Sequence, residues 1–116
     1  ILHPDDAVLA QEMGADGVVV SSHGARNFDS TVAPITMLPA IRAAVGPNFP
    51  LLADSGVRSG SDVLKLLLAG ADAVLLGRAM LYALAADGAT GAAGMIAIIG
   101  EELAKAESFL PRSHAL

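Results

Sequence analysis

A seven-residue repeat constrains the fold of this chain more than any other feature. Residues 14–20 read GADGVVV and residues 70–76 read GADAVLL, and each copy follows a segment of helical character, residues 5–13 and 61–69. In both copies the first glycine stands where a helix end favours a left-handed residue. The apolar run that follows lacks polar alternation, which is typical of a parallel strand covered on both faces. Each copy therefore predicts a helix that ends at glycine and leads into a buried strand.

A third unit of the same kind lies between the two copies. The helical stretch of residues 34–45 stops at Gly46-Pro47, and the apolar residues 50–53 follow it. A glycine and a proline just beyond a periodic segment are a helix stop signal. Pro39 falls inside this helix and predicts a kink there.

The end of the chain adds further helices to this alternating order. Residues 80–86 and 92–106 predict two helices, which the glycine-rich residues 87–91 separate. Alternating helices and strands imply a parallel α/β sheet, and the strand spacing is close to the roughly 30 residues per unit of a (β/α)8 barrel. Three parallel strands alone would leave open apolar edges. We therefore interpret residues 1–116 as a single partial domain, the C-terminal part of a (β/α)8 TIM barrel with about three parallel strands and flanking helices. A small doubly wound sheet is the alternative, and it would need more strands.

The amino-acid composition limits the possible ligands of the chain and its expected cellular location. The chain is 53% hydrophobic and 16% charged, with a mean hydropathy of +0.57, which is apolar for a small domain with much surface. The net charge of −5, with no basic stripe, argues against nucleic acid as a ligand. Cysteine is absent, which excludes disulfides and thiolate metal sites. We find no leader and no uninterrupted apolar run of about 18 residues, and so expect a cytoplasmic location, leaving membrane association of a full-length protein open.

Polar or glycine-rich residues follow all three predicted strands. In a barrel the active site lies where strands end and loops begin. Because the strand ends of a parallel sheet meet at one edge, three such segments predict a common site there. The segments are SSHGAR at residues 21–26, DSGVRSG at residues 54–60 and GR at residues 77–78.

The second and third segments predict a phosphate site. Gly56 and Gly60 allow close approach of a ligand to the backbone, although for Gly60 alone a turn role is favoured. Arg58 and Arg78 add positive charge, and Gly77 precedes a helix N-terminus, which attracts anions. Barrels often bind phosphate after their last two strands. The alternative is that the glycines serve turns and the arginines are solvated.

The other polar candidates are weaker. Asp54 closes a strand and is either a helix N-cap or an acceptor for ligand hydroxyls, as in ribose recognition. Ser61 is predicted as the N-cap of the third helix. His3 and His114 lie near the ends of the chain and are expected to be solvated. The histidine spacing supports no metal site.

The loop of residues 21–26 carries the sharpest chemical signal. His23 can accept a proton near neutral pH, and Arg26 can bind a carboxylate through two parallel hydrogen bonds. Together they could hold a carboxylic acid and deprotonate its neighbouring carbon or hydroxyl. Gly24 and Ala25 keep bulk away from such a substrate. The alternative is a loop histidine satisfied by backbone beside a surface arginine.

These motifs resemble one family. HGAR at residues 23–26 resembles the S-N-H-G-[GA]-R-Q-L-D signature of the FMN-dependent 2-hydroxy acid oxidases and dehydrogenases, which include glycolate oxidase, lactate oxidase and (S)-mandelate dehydrogenase. DSGVR at residues 54–58 with GR at 77–78 resembles that family's flavin-phosphate motif. IMP dehydrogenase and type 2 isopentenyl diphosphate isomerase share the phosphate motif, so the His-Gly-x-Arg loop makes the resemblance specific. Ser22, Asn27 and Phe28 depart from the signature, which bears on substrate fit more than on reaction type.

The resemblance implies a role for each matching position. His23 would be the active-site base and contact the substrate, and Arg26 would bind the substrate carboxylate. Ser21 would contact the flavin, and Asp54 would bind the ribityl chain of FMN. The other implied cofactor-binding residues, around the FMN phosphate, are Ser55, Gly56, Val57, Arg58, Gly77 and Arg78.

The same resemblance implies the activity and its partners. The intact protein would oxidise a small (S)-2-hydroxy acid to the 2-oxo acid with FMN, as a homo-oligomer, by resemblance a tetramer. Further parts of the flavin pocket would lie N-terminal to Ile1, so this chain alone would be inactive. Two alternatives stay open: another FMN-binding or phosphate-binding barrel, and a non-catalytic half-barrel that assembles with a partner chain.

Overall fold

The computed structural model describes residues 1–111, and it has the predicted alternation of helices and strands. The three strands pair in parallel in the order β1-β2-β3. A single 3₁₀ turn, His23–Ala25, follows β1. The other elements in chain order are α1 (Pro4–Glu12), β1 (Val18–Val20), α2 (Pro34–Val45), β2 (Leu51–Ala53), α3 (Gly60–Leu68), β3 (Ala73–Val74) and α4 (Arg78–Glu107). The prediction of three parallel strands with flanking helices is confirmed.

The helix ends mostly follow the predicted signals, with one error. Gly14 and Gly70, which follow α1 and α3, have φ values of 90° and 113°, the left-handed backbone that the repeat predicts. The N-cap of α3 is Ser59 and not the predicted Ser61: Ser59 is extended, and its Oγ accepts a hydrogen bond from Asp62 N–H at 3.3 Å. Ser61 already lies inside the helix. Helix α2 runs through Pro39 without interruption.

The core lies between the sheet and the helices that cover one of its faces. Val20, Leu38, Ile41 and Leu51 are the largest fully buried side chains. They bring β1 and β2 together with one face of α2. Burying such a side chain contributes about 1.5–3 kcal/mol, so this layer stabilises the strand edge on which the polar segments lie.

The opposite face of the sheet is open, which differs from the prediction of strands covered on both faces. Val19 lies between two buried neighbours in β1 and is 38% exposed, and Leu75, just after β3, is 40% exposed. Successive residues of a strand point to opposite faces of the sheet. A strand whose residues are all apolar therefore makes both faces apolar. The described residues cover only one of them.

The first residue of the chain continues the sheet beyond β1. Ile1 N–H donates to Val19 O at 3.0 Å, and Ser21 N–H donates to Ile1 O at 3.2 Å. Two bonds from one residue to positions two apart on its neighbour are the pattern of a parallel pair. Ile1 therefore pairs with β1 as a strand residue would, on the edge away from β2.

Helix α4 consists of two helical halves, as predicted. Asp87 (φ −151°, ψ 38°) and Gly88 (φ 53°, ψ −141°) interrupt it. Over its full length α4 is, among residues 1–111, the one helix long and apolar enough for a membrane span. Asp87 and Gly88 interrupt it, so the prediction that no uninterrupted apolar run reaches that length is not contradicted by α4. Its second half packs on α3 through Ile99 and Leu103, the contact of an outer helix in an α/β layer.

The N-terminus of α3 crosses α4 at Gly60. This residue is buried, and its N–H donates to Glu102 Oε2 at 2.8 Å. A Cβ at Gly60 would fall 2.6 Å from Ile99 O and also on the backbone of Glu102 and Leu103. Gly60 is therefore a helix-packing residue rather than one that approaches a ligand.

An arginine ties the loops at the other end of the strands. Arg42 donates to the carbonyl oxygens of Gly46, Phe49 and Gly70 at 2.7–3.0 Å. Arg42 Nη2 also lies 2.6 Å from Asp72 Oδ2, and that oxygen accepts a bond from Leu51 N–H at 2.8 Å. The Leu51 bond and the Arg42 guanidinium hold the pKa of Asp72 below its ordinary value.

Candidate functional site

The strand ends enclose one cleft of about 600 Å³. Its walls come from the loops after β1, β2 and β3 and from the start of α4, so the three polar segments meet as predicted. The lining residues are His23, Gly24, Arg26, Asp54, Ser55, Gly56, Val57, Arg58, Leu75, Gly77, Arg78, Ala79, Leu81, Tyr82 and Met95. Every residue to which the resemblance assigns a role lines this cleft except Ser21, and Gly60, also considered for the phosphate site, does not line it. Ser21 instead accepts a hydrogen bond from His23 N–H through its Oγ at 3.0 Å.

The loop after β1 presents His23 in an unusual backbone conformation. His23, Gly24 and Ala25 all have positive φ, at 53°, 63° and 61°. A non-glycine residue in the left-handed region costs about 1–2 kcal/mol, so this turn needs contacts that hold it. The backbone bonds from Ala25 N–H to Ser22 O at 3.0 Å and from Arg26 N–H to His23 O at 3.4 Å close it internally.

Ser55, after β2, supplies a second set of contacts to that turn. Its Oγ accepts hydrogen bonds from Ser22 N–H at 3.2 Å and from Gly24 N–H at 3.0 Å. The same hydroxyl donates to Asp54 Oδ1 at 2.7 Å. The loops after β1 and β2 are therefore joined through one side chain. Asp54 does not cap a helix, so that alternative for Asp54 is wrong.

Arg78 joins the third strand end to the same turn. Its Nη2 donates to Gly24 O at 2.9 Å, and a Cβ at Gly24 would lie 2.7 Å from that nitrogen. The positive φ therefore favours glycine at position 24, and a methyl group there would displace the guanidinium end of Arg78. Arg78 remains exposed at the cleft, where it can also meet an anion.

One corner of the cleft has the features of an anion cradle. Helix α4 starts at Arg78, two residues before the predicted start, with Gly77 as its N-cap and no side chain capping its first amides. A Cβ on Gly56 or Gly77 would meet nothing within 4 Å, so both glycines face open space. Uncapped amides at a helix N-terminus and the guanidinium of exposed Arg58 attract phosphate. This corner fits the phosphate end of a nucleotide.

The backbone at Arg58 is held by α3. Asp62 Oδ2 accepts a bond from Arg58 N–H at 3.1 Å, and Asp62 N–H donates to Ser59 Oγ. Burial raises the pKa of Asp62, but the bonds from Arg58 and Ser59 and the charge of Lys65 outweigh burial and leave the pKa below its ordinary value. The carboxylate thus stays charged and orients the Arg58 backbone at the cleft.

The apolar wall of the cleft was not predicted from the sequence. It is formed by Leu75, Ala79, Leu81, Tyr82 and Met95. Leu81 and Tyr82 are 60% and 69% exposed, so the described chain does not cover them. Their spacing from Arg78 on α4 was the available signal, since side chains three and four residues apart lie on the same face of a helix.

The other histidines lie apart from the cleft. His3 is exposed, as predicted, and its Nδ1 accepts a bond from Asp5 N–H at 3.3 Å, which caps α1. The prediction for His114 falls outside the described residues 1–111. Within those residues no cluster of three or more histidine, aspartate or glutamate side chains could hold a metal ion.

Comparison with known proteins adds to this geometry. The family model described as FMN-dependent dehydrogenase matches residues 1–109. An L-lactate oxidase of Alicycliphilus denitrificans is 54% identical over 103 residues, which is 89% of this chain and 28% of that protein. An L-lactate dehydrogenase of Xanthomonas oryzae pv. oryzae is 52% identical over 103 residues, which is 89% of this chain and 26% of that protein.

Solved structures show the same similarity. A crystal structure of mandelate oxidase with benzoyl-formic acid superposes with a TM-score of 0.89 at 45% identity, over 93% of this chain and 32% of that one. Mandelate oxidase with a monooxide FMN adduct also superposes with a TM-score of 0.89 at 45% identity, over 34% of its length. The chain thus spans about a quarter to a third of the proteins it matches, and its fold is part of the barrel that they share.

Proposed function

The chain belongs to the FMN-dependent dehydrogenase family, and from that premise we propose that it is the C-terminal part of a flavoenzyme oxidising a small (S)-2-hydroxy acid to the 2-oxo acid. One observation supports the proposal: His23, Arg26 and the glycine-rich and arginine-containing ends of the second and third strands line a single cleft. The relatives named as lactate and mandelate enzymes support the same substrate class.

The anion cradle is proposed to hold the phosphate of FMN. Gly56 and Gly77 leave room for it, and Arg58 and Arg78 supply charge. Asp54 uses Oδ1 to accept from Ser55, and its carboxylate lines the cleft, where it can accept a bond from a hydroxyl of the ribityl chain. Val57 is buried behind this loop and holds it against the core.

The substrate is proposed to bind between the first loop and the flavin. Arg26 binds the carboxylate, because a guanidinium matches it with two parallel bonds. His23 accepts the proton of the 2-hydroxyl, since histidine is the side chain best suited to act as a base near neutral pH. FMN, when bound, would take up the hydrogen of the α-carbon together with the two electrons of that C–H bond, as the C–O bond becomes a carbonyl. Ser21 orients His23 through its backbone N–H, and its flavin contact remains a proposal.

Two features of the whole protein stay proposals. The resemblance implies a homo-oligomer, and the cytoplasmic location remains a prediction. The open apolar face around Val19 and Leu75 favours one second candidate, a half-barrel that completes its sheet with a separate partner chain. Mass measurement of the purified natural protein separates the two, because a polypeptide carrying the remaining barrel strands needs no partner.

The test uses the full-length protein loaded with FMN, mixed anaerobically with (S)-lactate or (S)-mandelate. We expect bleaching of the flavin absorbance near 450 nm by at least one of them. His23→Asn should lower the bleaching rate by about 10²–10⁴-fold, the usual contribution of a general base. His3→Asn is the matched control, since His3 is exposed and outside the cleft, and should leave the rate unchanged.

A second variant tests the carboxylate site. Arg26→Met should raise the half-saturating substrate concentration at least tenfold, since charge-assisted bonds to a carboxylate contribute about 1.5–3 kcal/mol. FMN content should stay constant. Bleaching by no 2-hydroxy acid, or an Arg26→Met variant with wild-type saturation, would overturn the proposed function and leave a different phosphate-binding barrel as the better interpretation.

A further inference from the structure

Ser55 occupies a backbone position that a serine should avoid. It lies between Asp54 and Gly56 at the end of β2 and has a φ of 76°. A non-glycine residue in this region is held against a cost of about 1–3 kcal/mol, so such outliers persist only where the surroundings hold them. Glycine would adopt the same backbone without strain. The serine side chain must therefore provide something that glycine would not.

The hydroxyl of Ser55 is saturated with hydrogen bonds. A carboxylate can only accept, so the 2.7 Å contact between Ser55 Oγ and Asp54 Oδ1 makes the hydroxyl the donor. Its two lone pairs are then directed at two backbone amides, Ser22 N–H at 3.2 Å and Gly24 N–H at 3.0 Å. Asp54 thus sets the direction in which Ser55 accepts.

Those two amides flank a single residue, His23. The turn that contains it has three successive residues with positive φ, and the bonds to Ser55 hold it on both sides of His23. Arg78 adds a third external bond, from its Nη2 to Gly24 O at 2.9 Å. The imidazole therefore stands on a backbone that neighbouring strand ends hold in place.

We infer that Ser55 is the positioning residue of the active-site histidine: its hydroxyl, oriented by Asp54, holds the backbone on either side of His23 at the mouth of the cleft. The inference rests on the proposed function, in which His23 is the base. It differs from the cofactor-binding role that the sequence motif implies for Ser55, because here the side chain acts on the loop after β1 and not on FMN.

Two substitutions in the full-length protein separate the hydroxyl from the backbone. Ser55→Gly removes the hydroxyl and relieves the positive φ, whereas Ser55→Ala removes the hydroxyl and keeps the strain. Both should lower the anaerobic rate of flavin bleaching per bound FMN, at saturating 2-hydroxy acid, by about 10–10²-fold, because a small misplacement of a catalytic group costs this much. The FMN content should change less than about threefold, because the glycines and arginines of the phosphate corner are unchanged, and the half-saturating concentration should rise less than in Arg26→Met.

A readout independent of turnover accompanies the rates. Amide hydrogen exchange of the peptide covering residues 21–26 should speed up in both variants, since Ser22 N–H and Gly24 N–H lose their acceptor. Ser61→Ala is the matched control, because Ser61 is exposed on α3 and lies outside the cleft. It should change neither the exchange nor the rate.

The outcomes are distinguishable. A wild-type protein whose FMN no 2-hydroxy acid reduces overturns the proposed function, and the exchange measurement then still tests whether Ser55 holds the loop. An active wild type with Ser55→Gly at the same rate and the same loop exchange refutes the positioning role. If the Ser55 variants lose FMN but keep the rate per bound FMN, Ser55 binds the cofactor and the inference is refuted.

Discussion

Where α3 crosses α4, we expect a glycine-to-alanine change to lower the stability of the protein, whereas the same change elsewhere on α4 should raise it. Gly60→Ala places a methyl group 2.6 Å from Ile99 O and onto the backbone of the following turn of α4. Real Cβ atoms do not approach so closely, and backbone cannot rotate away as a side chain can. The helices must separate, and the bond from Gly60 N–H to Glu102 Oε2 at 2.8 Å is stretched or lost.

The magnitude follows from these two contacts. Overpacking costs about 1–3 kcal/mol, and a hydrogen bond to a charged group contributes about 1.5–3 kcal/mol, which we take at its lower end because Glu102 is exposed. The better helix propensity of alanine returns up to about 1 kcal/mol. We therefore expect Gly60→Ala to lower the free energy of unfolding by about 2–3 kcal/mol.

Urea unfolding of the full-length protein, followed by circular dichroism, measures this change. Gly94→Ala and Gly100→Ala are matched controls, since a Cβ at either position meets nothing within 4 Å inside α4. Each should raise the free energy of unfolding by about 0.5–1 kcal/mol. A Gly60→Ala midpoint at or above that of the controls, at equal slope, would refute the close packing of α3 on α4.

Three further predictions concern one charge, one cleft residue and one cap. Asp72→Asn should cost about 1–2 kcal/mol at pH 7 because the Leu51 N–H bond weakens. Because the pKa of Asp72 in the folded protein lies below its ordinary value, its carboxylate stabilises the fold at pH values above the unfolded pKa of about 3.9. That stability is lost as the pH falls through the folded value, so the urea midpoints of wild type and variant should converge as the pH is lowered below the unfolded pKa. Gly77→Ala should raise the FMN dissociation constant of the apoprotein at least tenfold in a fluorescence titration, because its methyl group enters the open space of the cleft where the phosphate is proposed to bind. Ser59→Ala should lower the free energy of unfolding by about 1 kcal/mol in urea titrations, the usual contribution of an N-cap, and Ser59→Asp should retain it.

Local sequence signals predicted the helices and strands well, because each unit contains its own helix-ending glycine followed by an apolar strand segment. The glycines at 14, 46 and 70 end helices with positive φ, and β1, β2 and β3 begin at residues 18, 51 and 73, within the segments 14–20, 50–53 and 70–76 from which they were predicted. The N-cap of α3 was assigned to the wrong serine, because Ser59 and Ser61 are equally good caps by residue type. Only the extended backbone of Ser59 distinguishes them.

The sequence indicated which residues meet at the strand ends, but it did not indicate the hydrogen bonds that join them. Polar residues after parallel strands must meet at one edge, so His23, Asp54 and Arg78 could be grouped from the sequence. The bonds from Ser55 to two amides of another loop depend on the register of β1 with β2, which no local pattern encodes. Likewise the hydrogen bond from Gly60 to Glu102 joins residues 42 positions apart. In the local sequence Gly60 cannot be distinguished from a glycine that serves a turn.

The glycines also predict how this chain would change if selection for its activity were lost. At Gly17 a methyl group would meet the backbone oxygen of Pro50 at 2.8 Å, and at Gly60 it would meet α4. Any lineage that still needs a folded protein must keep both. Gly77 has no such neighbour, although its backbone, at φ −101° and ψ −107°, lies outside the regions that side chains favour. In populations where the enzyme has become dispensable, substitutions should therefore reach Gly77 before Gly17 and Gly60, because they cost local backbone strain there and no clash between elements.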